Sequence, residues 1–412
     1  MDSNHMKKLL YSTALCSVLT LAACQPSGSG QFVVSNPLPV QRSAEVVELS
    51  CDEVCRRLQC LPTDALLAVD AEGREWPLQL TYDSLFVFPA SVAPSATAVY
   101  QIRKGTAADT VRYVQGRYHP ERADDIVWEN DRAGFRTYGP GIEGVYGYDT
   151  FLKRVSRPIL DSLYDANNSA ANWARVDSLR RAGLKEEAER FIRSFSFHID
   201  HGVGMDPYAV GPTLGAGAVA VIDGDQMIYP TTYQKYTILD NGPWRFTLEL
   251  EFAPRAIGID TAVVEKRLIT LDYGSQLNRT TLRYFGLSRS VELAAGIVVH
   301  ESNPKAYEED AQAGYIAYED LTMEPEEGNG SIFLGACRPD GFVSTAYRPM
   351  EEPKAGALGH ILATQPYRPF AVYTYYWGYG WSKYGFENMD AWKSYLLNYM
   401  EGLRQPLTVA WK

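Results

Sequence analysis

The chain has 412 residues, of which 46% are hydrophobic and 22% are charged, as is usual for a globular protein. This length predicts two or three domains, or one large all-β domain with a small partner. The net charge is −11 and there is no long basic run. Because phosphate binding needs clustered Lys and Arg, the composition argues against a nucleic-acid partner.

The first 24 residues have the pattern of an export signal. Lys7 and Lys8 precede an apolar stretch over 9–23, which is too short to span a membrane as a mature helix. The stretch ends in Leu21-Ala22-Ala23-Cys24, which resembles a bacterial lipobox and implies that Cys24 is lipidated. The alternative is an ordinary cleaved signal peptide. We therefore expect a periplasmic or outer-membrane protein that contacts the membrane only through its lipid anchor.

The rest of the chain is predicted to be mainly β. Residues 25–43 form a flexible tether, and 44–104 form a small β-sandwich domain. Residues 103–124 look like a linker. Short alternating segments dominate the large domain, 121–412, and predict an antiparallel sandwich or barrel with a few helices. No nucleotide-binding motif is present and no metal ligand set is recognised, so no cofactor is predicted, and a divalent cation stays open.

Two of the six histidines, His198 and His201, lie within four residues of each other. Histidine is the usual group for proton transfer near neutral pH, and the intervening Asp200 could hold a tautomer. Glycines in the same run allow a close approach of the backbone to a ligand. We interpret both histidines as candidate catalytic residues, with Asp206 and Tyr208 as substrate contacts. The alternative is a Gly-rich loop with surface histidines.

The segment Ile126–Tyr138, read as one strand, places an unusual polar and aromatic set on one face. Arginine pairs with carboxylates, and Trp or Tyr stacks on sugar rings, so this face could bind an acidic sugar. The alternative is the solvent-facing side of an antiparallel sheet. The predicted substrate contacts on this face are Trp128, Asn130, Arg132, Arg136 and Tyr138.

Two further candidates lie in the second half of the chain. His300-Glu301 follows an apolar strand and could supply an acid–base pair. The run Tyr373–Tyr384 interleaves aromatic residues with glycines, which predicts a loop that presents Trp381 and Lys383 to a ligand. The alternative for this run is structural packing against the sandwich.

Several runs resemble a family of secreted lipoproteins of unknown function from glycan-degrading bacteria. That family is similar to the galactose-mutarotase-like superfamily, which implies a β-supersandwich over 121–412 that binds carbohydrate on its concave sheet. This fold hosts several chemistries, so function transfers only as a class. The runs are Trp128-Glu129-Asn130-Asp131-Arg132, Tyr138-Gly139-Pro140, His201-Gly202-Val203-Gly204-Met205-Asp206, Val210-Gly211-Pro212-Thr213 and Trp381-Ser382-Lys383.

Together these features predict an enzyme that acts on oligosaccharides, in particular uronate-containing ones. β-Elimination would use an arginine for the carboxylate and a histidine or tyrosine for the proton. Hydrolysis would need two carboxylates that flank the bond, and Glu129, Asp131, Asp200, Asp206 and Glu301 are available. A sugar epimerase or mutarotase, and a glycan-binding lipoprotein without catalysis, are the alternatives.

Overall fold

The computed structural model describes residues 30–107, 112–142, 144–321, 323 and 328–412, so Cys24 and the predicted signal lie outside the described residues. The N-terminal part packs two sheets, with strand orders β27-β1-β7-β3-β4 and β2-β6-β5, around one apolar core. Its elements are β1 (Gln31–Ser35), β2 (Arg42–Ser50), α1 (Cys51–Leu58), β3 (Leu66–Val69), β4 (Glu75–Pro77), β5 (Gln79–Leu80), β6 (Leu85–Val92) and β7 (Thr97–Lys104), and the last strand of the chain is β27 (Thr408–Trp411).

The predicted tether is wrong from residue 31 onwards, because β1 is part of this core. Phe32 and Val34 are fully buried, and β1 pairs with both β7 and β27. The small domain therefore begins before residue 44 and is closed by the C-terminal strand. The signal for a strand here was the short apolar, largely β-branched run Phe32-Val33-Val34 between Gln31 and Ser35.

A third sheet has the strand order β12-β11-β10-β9-β8 and carries a helical insertion on one face. The predicted linker over 103–124 is wrong in part, because β8 lies within it and pairs with β9. The elements are β8 (Gln115–His119), β9 (Asp125–Glu129), β10 (Gly134–Thr137), β11 (Tyr148–Lys153), α2 (Leu160–Asn167), α3 (Ala170–Arg181), α4 (Lys185–Phe195) and β12 (Gly204–Met205).

Two large antiparallel sheets face each other across the main core, which confirms the mainly β prediction. Their strand orders are β14-β13-β20-β25-β24 and β15-β16-β18-β19-β26-β23-β22-β21, and the short β17 pairs with the start of β18. The strands are β13 (Ala216–Asp223), β14 (Gln226–Ile228), β15 (Tyr233–Asn241), β16 (Arg245–Phe252), β17 (Arg255–Ile257), β18 (Asp260–Asp272), β19 (Leu277–Phe285), β20 (Val291–His300), β21 (Tyr307–Asp310), β22 (Tyr315–Leu321), β23 (Ser331–Cys337), β24 (Ser344–Lys354), β25 (Ala357–Tyr367) and β26 (Tyr373–Trp381).

The C-terminal helix α5 (Met389–Arg404) covers the outer face of the larger sheet. The Asn388 side chain accepts a hydrogen bond of 3.0 Å from the Ala391 N–H and so caps the N-terminus of the helix. Trp392, Leu396 and Met400 recur at helical spacing and are fully buried. None of the helices in the described residues is long and apolar enough to cross a membrane.

Candidate functional site

The segment Ile126–Tyr138 is a hairpin rather than the single predicted strand. β9 and β10 pair with each other, and the turn between them is built on Asn130. The Asn130 side-chain oxygen accepts the N–H groups of Arg132 and Ala133, both at 2.8 Å. The prediction assumed one continuous strand, in which every second side chain points to the same face. Because the turn interrupts the strand, the predicted ligand-binding residues do not share one face.

Three members of that set have structural positions instead. Trp128 is fully buried, and its indole N–H donates to the Asn278 side-chain oxygen at 2.8 Å. Asn130 is buried in the turn. Arg132 lies at the exposed tip, where its side chain is 47% exposed and lies 3.1 Å from Asp131. Only Arg136 and Tyr138 enter a polar cluster.

Arg136 is the centre of a buried group that we call the arginine cluster, formed by Arg136, Tyr138, Asp149 and Asp206 with Asp125 and Tyr164. β10 turns Phe135 towards the main core and Arg136 towards the opposite face, where Asp149 is its partner across the strands. The guanidinium donates to Asp149 at 3.0 Å, to Asp206 at 2.9 Å and to the Tyr138 hydroxyl at 2.9 Å. The Arg136 guanidinium is therefore occupied by protein partners.

The arginine cluster holds more acidic groups than basic ones. Burial raises the pKa of Asp125 and of Asp206 to about 6, although the nearby Arg136 opposes the shift. Burial disfavours the charge on Arg136, but Asp149 and Asp206 hold its pKa well above the usual range. Because this arginine is 3% exposed and compensates several carboxylates, it is not available to a substrate carboxylate, contrary to the prediction.

A pH effect on stability follows from Asp125. The folded protein holds its proton more tightly than the unfolded chain, so this group stabilises the fold below pH 4, and the contribution is lost as pH rises through about 6. We expect Asp125→Asn to raise stability at pH 8 by on the order of 2 kcal/mol and to change little at pH 4. Urea unfolding at both pH values measures this. Equal effects at the two pH values would contradict it.

The predicted histidine window is a loop in which the two rings have different surroundings. The His198 Nδ1 lies 2.6 Å from the Asp206 backbone carbonyl and so carries a proton, which leaves Nε2 as the basic nitrogen of the neutral ring. The His198 side chain is 42% exposed. The exposed His201 lies 3.1 Å from the Ser196 carbonyl. Asp200 accepts the N–H groups of Gly202 and Gly204 at 2.8 and 3.1 Å, so it shapes the loop rather than orienting a ring.

A second histidine unit, which we call the histidine dyad, joins His300 at the end of β20 to Asp320 on β22. The ring Nδ1 lies 2.7 Å from the Asp320 carboxylate, and the Tyr318 hydroxyl accepts the His300 backbone N–H at 3.1 Å. The predicted partner, Glu301, has an exposed side chain in the turn after the strand, and the His300 ring contacts Asp320 instead. The dyad therefore uses a carboxylate from the opposite sheet.

Tyr208 lies between the arginine cluster and the histidine dyad. Its ring centroid is 6.0 Å from that of His300, and it is two residues from Asp206. Its hydroxyl is buried and has no hydrogen-bond partner among the described residues. Burial, reinforced by the negative charge of Asp320, raises the pKa of Tyr208 well above the usual range. The Tyr208 hydroxyl therefore keeps its proton and makes no hydrogen bond with the described residues.

The predicted aromatic loop is instead strand β26. Trp381 is 1% exposed, and its indole N–H donates to the Asn329 carbonyl at 2.8 Å. Lys383 lies in an exposed turn beyond the strand. The interleaved glycines serve packing, because an added Cβ at Gly378 would lie 2.1 Å from the Gln276 carbonyl oxygen. Among the described residues, neither Trp381 nor Lys383 forms a hydrogen bond or ion pair with the histidine dyad or the arginine cluster.

Six of the predicted site residues lie in or next to the arginine cluster and the histidine dyad. They are Arg136, Tyr138, His198, Asp206, Tyr208 and His300. The sequence prediction missed Asp149 and Asp320. Asp320 is a carboxylate on an otherwise largely apolar strand, which is the signal that could have found it, whereas Asp149 lies on a strand of mixed composition. In the described ranges, no group of three or more His, Cys, Asp or Glu side chains is placed to hold a metal ion.

Residues 34–409 match a family described as a domain of unknown function (DUF4861), and the chain belongs to that family. An "Uncharacterized protein P7" from Formosa agariphila is 24% identical over 428 residues, which cover 98% of both chains. Two solved structures from Enterococcus faecalis are similar to 94% of this chain at 10% identity: an α-mannosidase with a TM-score of 0.48 and a glycosyl hydrolase family 38 protein with a TM-score of 0.47. This chain spans 46% and 48% of those two structures.

Proposed function

We propose that this member of the family is a carbohydrate-active enzyme that cleaves oligosaccharides by β-elimination, with His300 and Tyr208 as its acid–base pair. The observation that carries the proposal is the ring of His300, held by Asp320 at 2.7 Å, beside the buried and unpartnered hydroxyl of Tyr208. A buried polar group without a partner is rare in native proteins and is a candidate for function. The resemblance of the sequence runs supports the carbohydrate substrate.

Each residue has one task in this proposal. Asp320 accepts the Nδ1 proton of His300, which fixes the tautomer and leaves a lone pair on Nε2. Nε2 takes the proton from C5 of a uronate, the C4–O bond breaks, and a double bond forms between C4 and C5. The Tyr208 hydroxyl gives its proton to the leaving oxygen. The raised pKa of Tyr208 keeps that proton in place until the bond breaks.

The cation for the substrate carboxylate is Arg122 in this proposal. Its side chain is 26% exposed, and its one ion-pair contact among the described residues is at 3.8 Å, to Asp125. It lies over the Phe197 ring, 5.2 Å from the centroid, next to His198. It is also close enough to Asp206 to lower the pKa of that carboxyl. Arg122 thus replaces Arg132 and Arg136 in the predicted role.

Hydrolysis has less support, because most of the carboxylates offered for it are engaged in structural interactions. Glu129 accepts the N–H groups of Ile159 and Leu160 at the start of α2. Asp131 accepts the Gly274 N–H at 2.6 Å. Asp200 and Asp206 are held by the loop glycines and by Arg136, as described above. An exposed Glu301 alone does not supply the facing pair that hydrolysis requires.

Epimerisation or mutarotation is the second candidate. The acidic surplus of the arginine cluster favours it, because a neutral sugar meets no charge repulsion there. Two histidine rings, His198 held by the Asp206 backbone carbonyl and His300 held by the Asp320 carboxylate, could also take and return protons on either side of a sugar ring. A glycan-binding protein would need neither unit.

A panel of neutral and uronate-bearing oligosaccharides tests the proposal. Elimination gives products that absorb as unsaturated uronates and whose masses sum to that of the substrate. Epimerisation keeps the substrate mass and incorporates deuterium from solvent or interconverts anomers. Products with one added water would support hydrolysis and reject both candidates. Binding without any product would indicate a glycan-binding protein.

We also propose that the protein is exported and anchored by a lipid on Cys24, on the basis of the apolar run and Leu21-Ala22-Ala23-Cys24. Cells that express the protein are labelled with a fatty-acid probe. Wild type is expected to be labelled and Cys24→Ala to lose the label. Cys16→Ala, a cysteine within the apolar run, serves as the matched control and should keep it. Label retained in Cys24→Ala would contradict the anchor.

A further inference from the structure

A cavity of about 710 Å³ lies between the small N-terminal domain, the outer face of the larger sheet and α5. β2 supplies one wall, β18 and β19 the second, and α5 the third. Arg279 on β19 and Tyr376 on β26 are partners across the strands and face this cavity. Their neighbours Thr280 and Trp377 face the main core on the other side of the sheet, where they are joined by a hydrogen bond of 2.8 Å. The cavity is thus separated from the interior by the sheet itself.

The charged side chains of this cavity are paired, with one exception. Arg42 contacts Glu45, while Arg245 lies 2.7 Å from Glu48 and 2.6 Å from Asp272. Arg42 and Arg245 thus compensate two of the three carboxylate charges on the walls, since Arg245 is shared by Glu48 and Asp272. The side chain of Arg279 has no hydrogen bond or ion pair with any of the described residues, and the residue is half-buried. A half-buried guanidinium without an anion is an incomplete site, because a charge is costly to remove from water unless it is paired.

Aromatic rings line the same space. Tyr273, Tyr376, Tyr395 and Tyr399 all contribute to the cavity walls. Tyrosine combines an apolar face with a polar edge, which suits a sugar ring. The volume is within the usual range for small-molecule sites. The exposed Asn398 on α5 adds an amide that can donate to and accept from hydroxyl groups.

We infer that this cavity binds an acidic saccharide, with Arg279 paired to the anionic group and the tyrosines in contact with the sugar. The anionic group is a carboxylate or a sulfate ester, since a guanidinium binds both through two parallel N–H donors. The expectation that the ligand is a saccharide rests on the proposed function. The expectation that it carries an anionic group rests on Arg279 alone. This second site would hold a long substrate away from the histidine dyad.

Titration calorimetry in a His300→Ala background tests the site, because turnover does not consume the probe there. The probes are trigalacturonate, its neutral methyl ester, a sulfated galactose disaccharide and inorganic sulfate. Arg279→Gln should weaken at least one acidic saccharide by about tenfold or more and leave the neutral ester unchanged. Arg283→Gln is the matched control, because it lies on the same face of β19, is exposed and is outside the cavity.

The variants separate loss of binding from loss of folding. Arg279→Lys keeps the charge without the paired donors and should bind with intermediate affinity, while all variants unfold at the same temperature. Unchanged affinity in Arg279→Gln would overturn the inference, as would inorganic sulfate that binds as tightly as the saccharides. If His300→Ala keeps full turnover while Arg279→Gln still weakens binding, the proposed reaction is wrong and the second site stands.

Discussion

His300→Ala is expected to lower turnover on an active substrate by two to four orders of magnitude, the usual contribution of general acid–base catalysis. KM should change little, because the ring acts mainly in the transition state. Asp320→Asn should also lower turnover, because a neutral amide does not supply the negative charge with which the carboxylate holds the His300 ring. Tyr208→Phe removes only the hydroxyl that has no partner among the described residues, so it should reduce turnover without loss of stability.

Steady-state kinetics on the wild type and the variants check this result. His300→Gln, which keeps a polar side chain, guards against a folding defect. His201→Ala is the matched control, because its exposed ring lies on the loop surface. Near-normal turnover in His300→Ala together with an inactive His198→Ala would move the catalytic centre to the His198 loop.

The large strands could be predicted from sequence because their alternation is long and uninterrupted. In β18, for example, the apolar residues Val263, Ile269 and Leu271 are buried on one face of a strand of 13 residues. The hairpin at 125–137 could not be recognised in the same way. Its turn contains neither Gly nor Pro, and the side chain of Asn130 supplies the hydrogen bonds that shape it. The alternation of side-chain types continues through such a turn in the sequence, but the side chains no longer alternate between the two faces of one strand.

The candidate site was predictable by residue type but not by partner. Histidine, arginine and tyrosine attract attention wherever they occur, so His300, Arg136 and Tyr208 were all found. Their carboxylates depend on long-range pairing. Asp320 meets His300 only because β20 and β22 lie in sheets that face each other. Glu301 is the neighbour in sequence but lies in a turn, so local sequence could not identify Asp320 as the acid that contacts the ring.

Arg136→Met is expected to destabilise the fold by about 3–5 kcal/mol, the usual cost of removing one partner from a buried ion pair. The guanidinium is 3% exposed and compensates Asp149 and Asp206, both of which are also buried. Without it, these carboxylates lie in the protein interior without a counter-charge, between β10, β11 and the segment after α4. The loss should be smaller at pH 4, where protonation of Asp206, with its pKa of about 6, removes part of the uncompensated charge.

Urea unfolding of Arg136→Met at pH 7 and pH 4 measures the two losses. Arg132→Met is the matched control, because the same change at the exposed hairpin tip should alter stability by no more than about 0.5 kcal/mol. The double variant Arg136→Met/Asp149→Asn removes a charge of each sign and should recover part of the stability. A loss of the same size in both single variants would mean that Arg136 contributes no more than a surface arginine. It would then be free to bind a substrate carboxylate, and the role proposed for Arg122 would return to Arg136.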